Sequence, residues 1–385
     1  MTIKAYKRFN SIFFTLVSFN LFAVGFFNIL IDPYGVFNTY IMPGVNQKKP
    51  TRIDHTRLAK AVDVTRIKPK TILLGSSTTL RLSPNHPVLA NTQPAYNLGL
   101  PGTGMQEELL YFQHALINQP NLKQLIIGLD FFSFGVGVKK APDFIEDRLQ
   151  KNRITTQDAL NAIFSLSAFE SSWNTLAANR ASKLGVSGLT DLQNQSGITP
   201  GQDNNNSRVM NNFQVVISSY LQQEDRYKNY QISNERLKDF KTIIDTCRQR
   251  KIAVKVFFSP THAVQLQALH VAGLSSAYKD WQRQVVKIIP TWDFSGYSQI
   301  NTESISGEMK NYVDGAHYQY RIADLILNRM FQYHLETVPS DFGVLLTPET
   351  IEPHFAAVRA DQIVWEKNNP KMIKFVQDLY ANANR

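Results

Sequence analysis

The run Ser11–Ile31, SIFFTLVSFNLFAVGFFNILI, holds twenty-one residues without a charge. Wound as a helix it is about 31 Å long, enough to cross the hydrocarbon core of a bilayer. In lipid every backbone N–H and C=O must be satisfied within the segment, so such a run is committed to a helix. Lys4, Lys7 and Arg8 precede it, and Asp32 is the one charge in the fifteen residues that follow. Cationic flanks stay in the cytoplasm. This predicts a single-pass anchor in the inner (cytoplasmic) membrane, amino terminus in, with the main domain periplasmic or extracytoplasmic. A cleaved signal peptide is the competing reading. The apolar run is longer than a typical h-region and no small-x-small site follows it, which favours an uncleaved anchor. Asn20 and Asn28 within the span read as tolerated amides or as hydrogen-bond partners of a neighbouring helix.

Beyond the anchor, residues 33–69 form a connector whose stretch Lys48–Lys70 carries eight Lys or Arg against Asp54 and Asp63. It reads as a grip on lipid headgroups or an anionic polymer, or as a solvated helix face. The whole chain has a net charge of +10, which favours anionic partners. Nothing resembles a nucleic-acid motif, and the membrane segment argues against that partner. At 43% hydrophobic and 19% charged, the body is folded rather than disordered. A single cysteine, Cys247, excludes an internal disulfide and reads as a small buried apolar residue on a helix.

From Lys70 the pattern alternates between strand and helix. Short β-rich runs fall at Thr71–Leu74, Leu125–Leu129, Ile252–Phe258 and Thr291–Phe294. Helical spacing marks Gly104–Asn118, Asn234–Arg250, much of Ala263–Ile288, and Arg321–Tyr333. Such alternation predicts an α/β fold with a parallel sheet, whose sites lie at the carboxyl ends of strands. This domain is expected over residues 70–338. An insertion of about 131–230 includes a helix through Thr156–Asn179 and a polar stretch, Gly188–Arg208. The segment 339–385 reads as a helical extension.

Nucleophilic acyl transfer needs a hydroxyl, a base, a group that orients the base, and donors for the oxyanion. Gly75-Ser76-Ser77 follows the first strand, where a glycine permits a sharp turn. Asp314-Gly315-Ala316-His317 sets a carboxylate within reach of a histidine Nδ1, leaving Nε2 as base. Asn97-Leu-Gly-Leu-Pro-Gly102 is a turn-rich segment whose Gly102 amide could face an oxyanion. His262, after the strand ending at Phe258, is a candidate substrate contact or a plain loop histidine. Trp281 and Trp292 read as core residues ahead of sugar platforms. The other histidines show no metal-ligand spacing, and neither a phosphate loop nor Cys-x-x-Cys occurs, so no metal and no cofactor is expected.

In this order the motifs resemble the SGNH/GDSL hydrolase superfamily, and within it the DltD- and AlgJ-like membrane-linked branch. Gly75, Ser76 and Ser77 match the nucleophile block, with Ser76 in the place of an aspartate. Asn97 and Gly102 match the second block, Asp314 and His317 the last. The third block normally supplies Gly-x-Asn, whereas this chain has Gly128-Leu129-Asp130. A carboxylate cannot donate to an oxyanion, so Asp130 is expected to bind a substrate hydroxyl or to tie down neighbouring turns. The resemblance implies a three-layer α/β/α sandwich behind one transmembrane helix. It also implies a catalytic set of Ser77, His317 and Asp314, with an oxyanion hole from the Ser77 and Gly102 amides. Ser76, Asn97, Asp130 and His262 are left as possible substrate contacts. The implied activity is O-acyl transfer or ester hydrolysis on a cell-envelope polysaccharide, beside a membrane acyl donor or a multi-pass membrane acyltransferase. The alternative is a catalytically inactive glycan-binding or assembly protein of the same fold.

Overall fold

In the computed structural model the described residues are 3–183 and 205–384. The polar stretch at 188–208 lies outside them up to residue 204. In chain order the elements are α1 (Ile3–Ile31), α2 (Thr56–Ile67), β1 (Thr71–Gly75), β2 (Ala95–Gly99), α3 (Met105–Asn118), β3 (Gln124–Leu129), α4 (Thr156–Phe164), α5 (Leu166–Lys183), α6 (Asn205–Gln222), α7 (Asn234–Arg250), β4 (Ala253–Phe258), α8 (Ala263–Val271), α9 (Ser275–Ile288), β5 (Thr291–Asp293), α10 (Tyr320–Phe331), β6 (Val344–Leu346), α11 (Ile351–Asn368) and α12 (Pro370–Ala383). They fall into two compact units, residues 1–66 with 143–201, and 67–142 with 202–385. The stretch read as one insertion is therefore shared: α4 and α5 belong to the first unit, α6 to the second.

The second unit is α/β, built on a six-stranded sheet in the order β2-β1-β3-β4-β5-β6. The first five strands are parallel, and β6 pairs antiparallel with β5. Every residue of β1 and β3 is buried. Because side chains alternate across a pleat, both faces of these strands are covered, which explains their unbroken apolar sequences. In α7 the buried Leu237, Phe240, Ile243, Ile244 and Cys247 fall on one helical stripe, and Ser233 caps its first turn by accepting from the Arg236 amide. The segment read as one helical stretch from Ala263 breaks at Gly273, whose φ of +76° ends α8 before α9 starts. Trp281 is fully buried against Phe131, Phe134 and Phe258, a core residue as its sequence suggested.

Two strands escape the sequence pattern. Asn97–Gly102 reads as a turn-rich segment, yet its first three residues belong to the edge strand Ala95–Gly99, which pairs with β1 in register, Gly75 opposite Gly99, although Asn97 and Gly99 are poor strand formers. The three-residue β6 lies in the carboxyl-terminal extension and adds an antiparallel edge to an otherwise parallel sheet. The carboxyl ends of β1, β2, β3, β4 and β5 meet along one edge, at Gly75, Gly99, Leu129, Phe258 and Asp293. The chain passes from β1 to β2 on one side and then to β3 on the other. Such a switch opens a crevice at the strand ends.

The first unit contains α1, long and apolar enough to cross a membrane, with α2, α4 and α5. Asp32 takes a left-handed conformation at the end of α1, and its Oδ1 accepts from the Val36 and Phe37 amides at 2.7 and 3.2 Å. Lys49 Nζ donates to the Ile31 carbonyl at 3.2 Å, supplying a partner that a helix end lacks. Much of the basic connector is spent internally. Lys49 pairs with Asp32, Arg52 with Asp63, and Arg57 with Asp143, while Arg66 donates to the Gly35 carbonyl. Asn28 is a buried hydrogen-bonding residue within α1, joined to the Ile163 carbonyl and to Ser172.

Candidate active site

Where β1 ends, Gly75 has a φ of +146°, a conformation that strains any side chain, and a Cβ there would collide with Thr79 Oγ1. On the neighbouring strand a Cβ at Gly128 would lie 2.6 Å from the same oxygen. Thr79 thus sits in a notch made by two missing side chains. The chain turns over it, through Ser76 and Ser77 into a short 3-10 turn at Thr79–Arg81. Ser76 and Thr78 are buried, while Ser77 between them is partly exposed.

His317 reaches the same place from the segment preceding α10. Its Nε2 lies 3.0 Å from Ser77 Oγ, and its Nδ1 lies 2.9 and 3.0 Å from the two oxygens of Asp314. The Asp314 carboxylate can only accept, so Nδ1 carries the hydrogen and Nε2 is free to take the serine proton. Asp314 Oδ1 also accepts from the Ala316 and His317 amides at 2.8 and 2.9 Å. The turn is closed by Val313 N donating to His317 O, and is tied to the loop after β4 by His262 N donating to Gly315 O. Gly315 packs closely on Gln265, whose Oε1 would lie 2.7 Å from a Cβ placed there.

The electrostatics suit a base. Burial lowers the His317 pKa and Arg81 opposes its charge, but the charge and hydrogen bond of Asp314 prevail and the pKa is raised above 6.5. Burial raises that of Asp314, yet His317 and the two backbone amides bring it below the ordinary carboxylate value. The His317 side chain is 29% accessible, while Asp314 behind it is buried.

The segment after β2 completes the surroundings. Leu100 N donates to Gly75 O at 2.9 Å, and Thr103 N to Leu100 O at 3.3 Å, closing a turn in which Gly102 has a φ of +65°. Among the described residues neither the Ser77 nor the Gly102 amide has an acceptor. Both are therefore available as donors. A Cβ at Gly102 would be 3.6 Å from Arg226 Nη2, whose guanidinium lies over the Phe132 ring at 4.1 Å. Arg226 is a cation beside the candidate site that no local sequence signal marks.

The remaining candidates are engaged elsewhere. Asp130 is buried and accepts from Ser76 Oγ and from Thr78 Oγ1, the latter at 2.9 Å, with Ser259 beside them. Burial raises its pKa, and the hydroxyl donors offset part of that rise. Of its two expected roles, it performs the tethering one, holding both neighbours of Ser77; Ser76 is correspondingly fully buried. Asn97 donates to the Thr79 and Leu82 carbonyls at 2.8 Å each and accepts from Gly99 N, so it fixes the turn beyond Ser77. His262 is buried: Nδ1 caps α8 by accepting from Val264 N, and Nε2 lies 2.7 Å from Glu303 O. Desolvation lowers its pKa to about 4, leaving a neutral structural ring rather than a substrate contact. No group of three or more His, Cys, Asp or Glu able to hold a metal occurs among the described residues.

The arrangement can deprotonate a hydroxyl at a strand end and supply backbone donors beside it. No protein-family model matches this sequence, and no curated protein matches it.

Proposed function

We propose that this chain is a membrane-anchored, extracytoplasmic serine acyltransferase or esterase with an SGNH-like sandwich, acting on O-acyl groups of a cell-envelope polysaccharide. The observation that carries the reading is the continuous chain Ser77 Oγ, His317, Asp314, linked at 3.0 and 2.9 Å at the carboxyl edge of a parallel sheet. Ser77 Oγ attacks the acyl carbon as His317 Nε2 takes its proton. The tetrahedral oxyanion is held by the Ser77 and Gly102 amides. As the carbon–oxygen bond to the leaving alcohol breaks, His317 returns the proton to it. A second hydroxyl, from water or a glycan, then gives its proton to His317 and attacks the acyl-Ser77 ester; the bond from the acyl carbon to Ser77 Oγ breaks, and His317 returns the proton to that oxygen. The cationic flank of α1 favours an amino terminus in the cytoplasm and the reaction outside it.

Full-length protein in detergent is expected to hydrolyse an activated acetyl ester and to bind a serine-directed phosphonate covalently. Ser77→Ala is expected to abolish both. Equal turnover in the variant would remove the proposal. The non-catalytic alternative draws on Asp130 standing where an asparagine donor is usual, and a fold that binds polysaccharide while Ser77 stays unlabelled would favour it.

A further inference from the structure

The first unit keeps an apolar surface that its own residues do not cover. From Ala159 to Phe169 eleven residues pass without a charge, across the turn that joins α4 to α5. Around that turn Leu166 is 87% exposed, Trp173 60%, Leu160 51%, Phe164 47% and Phe169 40%. Single exposed apolar residues are ordinary, but five around one helical tip are a patch.

Its level along α1 is fixed by contacts. A Cβ on Gly25 would lie 2.9 Å from atoms of both Ile163 and Phe164, so the end of α4 rests on α1 there. Gly25 precedes the end of α1 by six residues, about 9 Å along the helix. Asn28 bonds the Ile163 carbonyl at 2.9 Å and Ser172 Oγ at 2.8 Å, and the Phe27 ring stands 5.7 Å from Phe169 and 6.5 Å from Trp173. Beyond the span, Asn179 exchanges hydrogen bonds with the Lys48 backbone at 2.8 and 2.7 Å. α5 therefore runs beside the end of α1 with Leu166 at its deep end. At the same level α1 exposes Phe22 and Phe26.

We propose that the α4–α5 hairpin is a second membrane-embedded element, its Phe164–Leu166 tip lying among the acyl chains of the leaflet in which α1 ends. This rests on α1 crossing a bilayer. Eleven uncharged residues are too few to span, so the hairpin enters and leaves on one side. Lipid is the occupant because the patch continues the lipid-facing surface of α1. The exposed side chains around the tip are uncharged, Phe164 and Leu166 being flanked by Asn161 and Ser167, and the exposed Glu170 and Trp173 follow further along α5. Ser165 Oγ accepts from Ala168 N at 3.0 Å, and Ser165 N donates to Asn161 O at 3.1 Å, so the turn meets part of its backbone demand internally, as lipid requires.

The test uses full-length protein in phosphatidylcholine vesicles, with an environment-sensitive fluorophore on Leu166→Cys or, separately, Phe22→Cys. Cys247 is buried with its thiol pushed up to about 12, so the introduced thiol labels first. Both probes are expected to lose emission to acyl-chain-brominated lipid and to resist aqueous iodide. Quenching of the Phe22 probe by lipid but of the Leu166 probe by iodide overturns the hairpin proposal and leaves the anchor. Quenching of both by iodide overturns both. A Leu166 probe reached by neither quencher means a protein surface covers the tip, and overturns the proposal as well.

Discussion

His317 and His354 each hold an aspartate at hydrogen-bond distance, but through different ring nitrogens. His317 uses Nδ1, 2.9 Å from Asp314, and turns Nε2 to Ser77. His354 uses Nε2, 2.8 Å from Asp293, which closes β5 and also accepts from Ser295 and Gln282. In both pairs burial lowers the histidine pKa and the aspartate overrides it, so both are raised. Both aspartates stand near the sheet's carboxyl edge or its loops. A histidine with a perturbed pKa beside a carboxylate is therefore not enough to mark a site; what the second nitrogen faces decides. One pair presents a base to a hydroxyl, and the other fastens α11 to a strand end.

Three substitutions can break or sharpen this contrast. Asp314→Asn removes the acceptor that sets the His317 tautomer, and a loss of about 10⁴-fold in kcat on an activated ester is expected. His317 must be neutral to accept a proton, and its pKa is raised, so the wild-type acid limb of kcat/KM should lie above pH 6.5 and move lower in the variant. A pH–rate profile unchanged by the substitution would dissolve the distinction. His354→Phe strands a buried carboxylate, which should cost about 3 kcal/mol in denaturant unfolding while leaving kcat per folded molecule intact. A fall in kcat would tie the second pair to the chemistry. Asp130→Asn preserves an acceptor for Ser76 and Thr78, so activity should fall by about tenfold or less. A rise in turnover would instead mean that the carboxylate opposes the oxyanion.

The parts legible in the sequence were those whose geometry is local. Asp314 and His317 meet because only the two turn residues Gly315 and Ala316 separate them, and Ser77 follows a strand whose apolar run is conspicuous. What the sequence hid was set by distant partners. Asp130 becomes a tether only when Thr78 and Ser259 are brought to it across 52 and 129 residues of chain. His262 sits at a strand end as a site residue should, yet an α8 amide and the Glu303 carbonyl claim its ring. The edge strand around Asn97 was hidden by residues chosen to hold a turn. The 131–230 stretch looked like one insertion because hydropathy does not say which unit a helix will join. Asn28 carried the signal: an amide in an apolar span needs a partner, and α4 and α5 supply it.

That amide has a further consequence for anyone who would re-engineer the protein. An anchor is commonly treated as a tether whose sequence is immaterial beyond length and hydropathy. Here Gly25 and Asn28 key the helix to a particular rotation and depth against α4 and α5. A generic leucine-rich helix grafted in its place would match its length and hydropathy, yet leave the Ile163 carbonyl and Ser172 without their partner and put a side chain where Ile163 and Phe164 now lie. α1 is a fitted part of its unit, not an interchangeable leash.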